Sequence, residues 1–217
     1  MKAKMMLVLA IVVGAGFTSS AQDKTQGKVN YELTVNLHAS LKPDQLQFKD
    51  MIPEFYTSKE VLYFKGNLAK VERVSPDEEE VDGGAKMKMD FEGGKKGMYS
   101  DGTLKGTYDL IEKDGKKSLR VFTFGKNGKK SNTDQQQTGK TKEILGFKCK
   151  SVVSGNTILW VSTELPFKIG PMGIFCEEGA ILGLETKMHK AYATSIDYIP
   201  VKPEDLVVPK DLPIETK

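Results

Sequence analysis

The chain has 217 residues and a formal net charge of +3, from 32 basic and 29 acidic side chains. This length fits one large domain or two small ones. With 39% hydrophobic and 28% charged residues, the chain is too polar for a multi-span membrane protein and too apolar to be disordered throughout. Only Arg73 and Arg120 are arginines. Because arginine is the residue best suited to phosphates and base edges, a nucleic-acid partner is not expected.

The first 21 residues have the pattern of a secretory signal peptide. Lys2 and Lys4 precede an apolar or small stretch from Met5 to Phe17, and small residues follow as far as Ala21. This pattern predicts export and cleavage after Ala21. The stretch is shorter than the roughly 20 residues that cross a bilayer as a helix, so an integral membrane protein is not expected. We expect a single domain over residues 22–217.

The region after the signal peptide reads as antiparallel strands. From Lys28 to Leu37, apolar and polar residues alternate without a fault, which predicts a strand with one dry face. Four probable hairpins follow, several of them around glycine-containing turns. Their strands are Val61–Phe64 with Leu68–Val74, Thr107–Glu112 with Lys117–Phe124, Phe147–Val153 with Thr157–Thr163, and Ile181–Met188 with Tyr192–Ile199.

The predicted fold is therefore mainly β, with some α+β character. About eight or nine strands at short spacing indicate an antiparallel sheet, as a barrel, a sandwich or a curved open sheet. Helix is limited to one or two short elements, and the best candidate runs from Pro43 to Tyr56, with Pro53 breaking or kinking it. Ser75–Gly106 and Lys126–Lys142 are expected to be loops. The proline-containing tail from Pro200 should be extended, with Leu206 and its neighbours docking on the sheet.

The sequence contains no pattern typical of a catalytic, metal or cofactor site. His38 and His189 have no Cys, Asp or His at metal-ligand spacing. No nucleophile elbow, phosphate-binding loop or zinc-protease helix is present. We therefore expect a protein that is not an enzyme and that holds neither a metal nor a cofactor.

The two cysteines, Cys149 and Cys176, allow two interpretations. In an exported protein they can form a disulfide, which would tie a strand to the loop after the next strand. Alternatively, Cys149 is a small buried apolar residue.

Several strands carry large apolar side chains on both faces. Examples are Val121 against Phe122 and Phe124, and Trp160 against Leu159. A one-sided sheet cannot bury both sets, so either other parts of the chain cover the second face or the sheet curls around a cavity. A cavity could hold an acyl chain, with the methionine-containing segment from Met87 to Met98 as an adaptable lid.

Two neighbouring segments resemble a known family. Residues 143–150, EILGFKCK, and 157–166, TILWVSTELP, are similar to the paired strands of GLPGLI-like proteins, uncharacterised exported proteins of the Gram-negative envelope. Gly170-Pro171 and residues 179–185, GAILGLE, match the step and the glycine-rich turn that follow in that family. The GLPGLI hexapeptide itself is absent, which favours a sister family.

The resemblance implies a fold and a place in the cell. These proteins resemble the outer-membrane lipoprotein carrier (LolA-like) superfamily, which implies a strongly curved antiparallel half-barrel around an apolar cavity, in the periplasm. The expected function is then binding of a lipid or of the acyl chains of a lipoprotein. An envelope protein-interaction module with a packed core and no ligand is the alternative. The residues expected to line a cavity are Tyr31, Leu33, Val35, Phe122, Phe124 and Trp160.

Overall fold

The computed structural model describes residues 23–74, 80–81, 85–86, 95–101, 106–123 and 136–215. The expected signal peptide and the expected cavity residue Phe124 lie outside these ranges. The strands are β1 Gln26–Asn36, β2 Phe55–Lys65, β3 Leu68–Val74, β4 Glu80–Val81, β5 Ala85–Lys86, β6 Lys95–Asp101, β7 Gly106–Lys113, β8 Lys116–Thr123, β9 Gln136–Ile144, β10 Phe147–Ser154, β11 Thr157–Ser162, β12 Ala180–Glu185 and β13 His189–Asp197.

Eleven of these strands form one antiparallel sheet. Their order is β8-β7-β6-β3-β2-β1-β13-β12-β11-β10-β9, and β4 pairs only with β5. Strand β1, where alternation was most regular, lies at the centre between β2 and β13. Strands β8 and β9 are the two edges, so the sheet is not closed into a barrel. The prediction of a mainly β protein with one antiparallel sheet and few helices is confirmed.

The described helical segments are all of the 3₁₀ type. They are His38–Ser40, Pro43–Met51, Pro171–Gly173 and Pro203–Asp205. The helix expected from Pro43 to Tyr56 is a 3₁₀ segment that ends at Met51, and β2 already begins at Phe55. No residue of this segment is buried, so it lacks the packed apolar face that stabilises a short α-helix.

Four strands lie where the sequence predicted loops. Strands β4, β5 and β6 fall in Ser75–Gly106, and β9 overlaps Lys126–Lys142. In β9, every residue before Ile144 is exposed. An edge strand with both faces in water has no reason to alternate, so periodicity cannot reveal it.

One face of the sheet is covered by the chain itself. Residues directly opposite each other on neighbouring strands share a face, and Leu62, Val71 and Met98 form such a row across β2, β3 and β6. The segment from Thr163 to Gly179, between β11 and β12, packs on this face, where the Phe64 and Phe167 ring centroids are 4.8 Å apart. We call the segment the cover and this side the covered face. In the middle of the sheet, the covered face is therefore closed by chain.

The C-terminal segment packs against the β8 end of the sheet. Leu206 is almost fully buried, which confirms the docking expected of the tail. Further along, the Leu119 N–H donates to the Pro213 carbonyl at 2.8 Å, and the Glu215 N–H donates to the Leu119 carbonyl at 2.8 Å. These bonds pair residues 213–215 with the outer edge of β8 and shield part of that edge.

Candidate functional site

Two of the expected cavity residues are packed in the core. Tyr31 is 1% exposed and Leu33 is 6% exposed. The Tyr31 hydroxyl donates a hydrogen bond to the Ile181 carbonyl at 2.8 Å. Val35, further along the same side of β1, is half-buried. Protein therefore surrounds Tyr31 and Leu33, and Val35 is only partly covered.

Trp160 lies on the opposite face of the sheet from Tyr31 and Leu33. It is the cross-strand partner of Gly183, Gly183 is the partner of Tyr192, and Tyr192 is the partner of Glu32. Glu32 alternates with Tyr31 and Leu33 along β1, so this row lies on the face of the sheet opposite to theirs. Trp160 is nevertheless only 9% exposed and belongs to the same hydrophobic core cluster as Tyr31 and Leu33. The structure therefore buries Trp160, but on the other side of the sheet from the expected residues of β1.

Phe122 lines a half-open cavity of about 450 Å³. It is 41% exposed, and it is the expected cavity residue that the structure places at a cavity. We call this space the Phe122 cavity. Its lining residues come from β6, β7, β8 and the cover: Lys95, Met98, Thr107, Asp109, Arg120, Phe122, Met172 and Gly173.

The register of the sheet explains why these residues meet. Asp109 lies between Met98 on β6 and Arg120 on β8, and Thr107 pairs with Phe122. The row continues the covered face beyond the cover, whose Met172-Gly173 turn forms the other wall. Gly173 has a φ of +69°, and a Cβ there would overlap the Met98 thioether. A glycine therefore allows Met98 to lie directly against the turn.

Charged groups lie in the lining of the cavity and directly behind it. The Lys95 ammonium lies 3.2 Å from an Asp109 carboxylate oxygen, and both side chains are largely buried. Glu60 is 2% exposed; it accepts hydrogen bonds from the Met172 N–H at 2.7 Å and from Arg73 Nε at 3.3 Å. Burial raises the pKa of Glu60 above its ordinary value, although both donors act in the opposite direction.

Arg120 lines the cavity and lies on β8, at the edge of the sheet. Its Nη2 and Nε donate to one carboxylate oxygen of Glu215, at 3.0 and 3.3 Å, and the Ser118 hydroxyl donates to the other at 2.7 Å. These bonds, first that of Ser118 and then those of Arg120, hold the pKa of Glu215 below its usual range. The guanidinium fork and the hydroxyl thus form a site that holds a carboxylate.

Sequence reasoning missed most of this site. Met98 and Arg120 meet through the register of β6, β7 and β8, and Met172 joins them because the cover crosses the sheet. No local pattern shows either arrangement. One signal was present: both arginines of a chain with 32 basic residues lie on the covered face, Arg73 against Glu60 and Arg120 at the cavity. Arginine is the cation suited to bidentate carboxylate contacts.

A second cavity, of about 390 Å³, lies under the C-terminal segment. Its lining is mostly apolar and includes Leu119 from β8 together with Leu206, Val207, Leu212 and Ile214 of that segment. It is on the other side of β8 from Arg120, because successive residues of a strand point to opposite faces.

The outward face carries a polar and aromatic cluster around Trp160. Lys142 Nζ lies 4.3 Å from the ring centroid of Tyr192 and 5.1 Å from that of Trp160. The Trp160 Nε1–H donates to Glu185 at 3.0 Å, and the Tyr192 hydroxyl donates to the same carboxylate. The cluster therefore satisfies its own polar groups and ties β9, β11, β12 and β13 together.

The structure records Cys149 and Cys176 as buried thiols. Burial raises the pKa of Cys149 to about 11 and also raises that of Cys176. Both side chains lie in the apolar core.

The described residues contain no group of His, Cys, Asp and Glu side chains that could hold a metal ion. Within the same ranges, no helix is long and apolar enough to cross a membrane.

Comparison with known proteins identifies a shared fold and no family. No protein-family model and no curated protein matches the sequence. Two structures of PNGF-II, in two space groups, are similar to this chain, each with a TM-score of 0.58 and with 12% and 14% sequence identity. Each match covers 88% of this chain and 31% or 32% of PNGF-II. The chain thus spans about a third of the length of PNGF-II, and at this identity the likeness concerns the fold alone.

Proposed function

We propose that this protein is a non-enzymatic binding protein of the bacterial envelope that holds an apolar chain in the Phe122 cavity. The observation that carries the proposal is the combination of Phe122, Met98 and Met172 around a half-open space of about 450 Å³. Ligand cavities commonly measure roughly 300 to 1,000 Å³ and combine apolar side chains with a few polar groups, which here are Lys95, Thr107, Asp109 and Arg120. Methionine side chains adapt to chains of different shape.

In this proposal the ligand lies at the β8 end of the sheet rather than at its middle. Tyr31 and Leu33 are buried in the core, so in this proposal an acyl chain enters at the edge of the cover, beside its Met172-Gly173 turn. In this proposal the sheet is a half-barrel, and the cover and Phe122 cavity share its inner side. The open antiparallel sheet and the resemblance of residues 143–185 to GLPGLI-like proteins support that view.

Export supports the same function. The pattern from Lys2 to Ala21 resembles a secretory signal peptide, which supports the periplasm as the location in this proposal. Lipids and lipoproteins cross that aqueous space and need their acyl chains shielded from water. The ligand is accordingly a lipid or the acyl chain of a lipoprotein.

Binding of a neutral apolar fluorophore, phenylnaphthylamine, tests the proposal. In Phe122→Asp, a charge at the cavity wall should abolish the fluorescence gain, while the circular dichroism spectrum and urea midpoint show that the fold is retained. Phe48→Asp is the matched control, because Phe48 is 47% exposed and lies on the Pro43–Met51 segment. Equal binding by both variants would overturn the proposal. Native mass spectrometry of protein purified from its own periplasm would identify a bound lipid.

A second candidate function is a protein-interaction module. Its support is an edge strand, β9, whose side chains from Gln136 to Glu143 are exposed, because an edge can accept another strand. Exposed Leu46, Phe48 and Met51 offer an apolar surface. A photo-crosslinker at Phe48 or Thr141 should give an adduct of one mass in the periplasm, and one at exposed Glu204 should give none. Absence of adducts at all three positions would contradict this function.

A further inference from the structure

We propose that the ligand of the Phe122 cavity is an amphiphile with an anionic head, that Arg120 and Ser118 bind this head, and that Glu215 occupies their site when no ligand is bound. The inference rests on the proposed function, because it assigns a chemical class to the ligand of that cavity. It concerns a carboxylate or phosphate head on an apolar chain.

Arg120 connects the two parts of this site. Its side chain lines the cavity beside Phe122, and the same guanidinium binds the Glu215 carboxylate through Nε and Nη2. An anionic head at Arg120 would therefore leave its apolar chain next to Phe122 and Met98. The two contacts of an amphiphile, one charged and one apolar, are available within one continuous lining.

The present occupant shows what the site accepts. Glu215 receives three donors on its two oxygens, two from Arg120 and one from Ser118. A guanidinium fork matches carboxylate and phosphate oxygens in the same way. Glu215 comes from the C-terminal segment, and its carboxylate is about a third exposed, so a ligand anion can replace it without opening the core.

The other cation of the cavity, Lys95, already has a carboxylate partner. Lys95 forms a largely buried pair with Asp109, and separating that pair would leave a buried charge without its partner. Exchange at Arg120 replaces one partly exposed carboxylate by another anion, so Arg120 keeps an anionic partner. This difference selects Arg120 as the head-group residue.

The test compares dodecanoate, dodecyl phosphate and uncharged dodecanol by calorimetry on the full chain at pH 8. The measured quantity is the ratio of each anion's affinity to that of dodecanol. This ratio cancels any effect of a substitution on binding of the dodecyl chain, which the three compounds share. In Glu215→Gln, loss of the competing carboxylate should raise this ratio about fivefold, the difference between charged and neutral hydrogen bonds. In Arg120→Gln, the ratio should fall to about one.

Glu204→Gln is the matched control, because it removes the same charge from an exposed residue of the same segment and should leave the ratio unchanged. The anion with the larger ratio distinguishes a carboxylate from a phosphate head. If dodecanol binds but the ratio is the same in the parent protein, in Glu215→Gln and in Arg120→Gln, the anionic site is refuted and the apolar function stands. If none of the three compounds binds, the proposed function itself fails.

Discussion

The Met172 backbone N–H donates to Oε2 of Glu60 at 2.7 Å, and this bond ties the cover to strand β2. Arg73, the cross-strand partner of Glu60, donates to the other carboxylate oxygen. A buried carboxylate is costly unless such partners satisfy it. Glu60 thereby fixes the position of the turn that forms one wall of the Phe122 cavity.

The pKa of Glu60 leads to a pH-dependent prediction for Glu60→Gln. Burial raises the folded-state pKa above the ordinary 4.5, so the folded state holds the proton more tightly than the unfolded state. Stability from this group is fully present below pH 4.5 and is lost as the pH rises through the folded-state pKa. The free energy of unfolding of Glu60→Gln, relative to the parent protein, should therefore rise as the pH increases. Urea unfolding from pH 4.5 to 8 measures it, and a constant difference would contradict the shift.

Tyr31→Phe should destabilise the protein and leave ligand binding intact. The substitution removes the donor to the Ile181 carbonyl and leaves a buried acceptor without its partner, at a cost of about 1 to 2 kcal/mol. Tyr63→Phe, at a half-buried position of β2, is the control and should cost less. Urea unfolding and phenylnaphthylamine binding are the measurements. Loss of probe binding in folded Tyr31→Phe would place the ligand at the centre of the sheet instead.

Gly183→Ala should disturb the aromatic cluster on the outward face. A Cβ at Gly183 would lie 2.7 Å from Tyr192 Cε1 and 3.0 Å from Trp160 Cδ1, so both rings must move. Such overpacking typically costs about 1 to 3 kcal/mol. Because Trp160 is the single tryptophan of the chain, its emission should shift to longer wavelength as the ring gains contact with water. An unchanged spectrum and unfolding midpoint would show that the sheet accommodates the methyl group.

Lys142→Met should have a small, salt-dependent effect. The variant keeps most of the side chain but removes the ammonium that lies over Tyr192 and Trp160. Since Lys142 is 42% exposed, the expected loss is only about 0.5 to 1 kcal/mol. The exposed Lys140 lies on the same strand, and Lys140→Met is the matched control. Urea unfolding at low and at high salt should show a difference between the variants that shrinks as salt screens the charge.

The strands that the sequence predicted are those with at least one dry face. Strand β1 alternates because its core residues and its solvent residues face opposite sides, and hairpin turns located β2 with β3 and β7 with β8. Strand β9 has no dry face, so its residues looked like a loop. The side of the sheet on which Trp160 lies was also hidden, because β11 carries large apolar side chains on both faces, and only its pairing through β12 and β13 to Glu32 shows which of them face which way.

The site was less predictable than the fold, for a physical reason. The cavity exists because the cover, Thr163–Gly179, shields only part of the sheet. Its Met172-Gly173 turn lies at the edge of the shielded part, and the cover is remote in sequence from β8. Phe122 could be selected as an apolar residue on a strand with two apolar faces. Arg120 and Glu215 are 95 residues apart, and neither has a local pattern that would indicate the other.

The two cysteines should be unreactive in the folded protein. With a pKa of about 11, Cys149 is a thiolate in only about one molecule in a thousand at pH 8, and the core excludes reagents from both thiols. Ellman's reagent should therefore label neither cysteine before unfolding and both afterwards. In Gln47→Cys, an exposed position, the added thiol should react at once. If protein from the periplasm is lighter by the mass of two hydrogens and gives no thiol on unfolding, the cysteines form the disulfide that export permits.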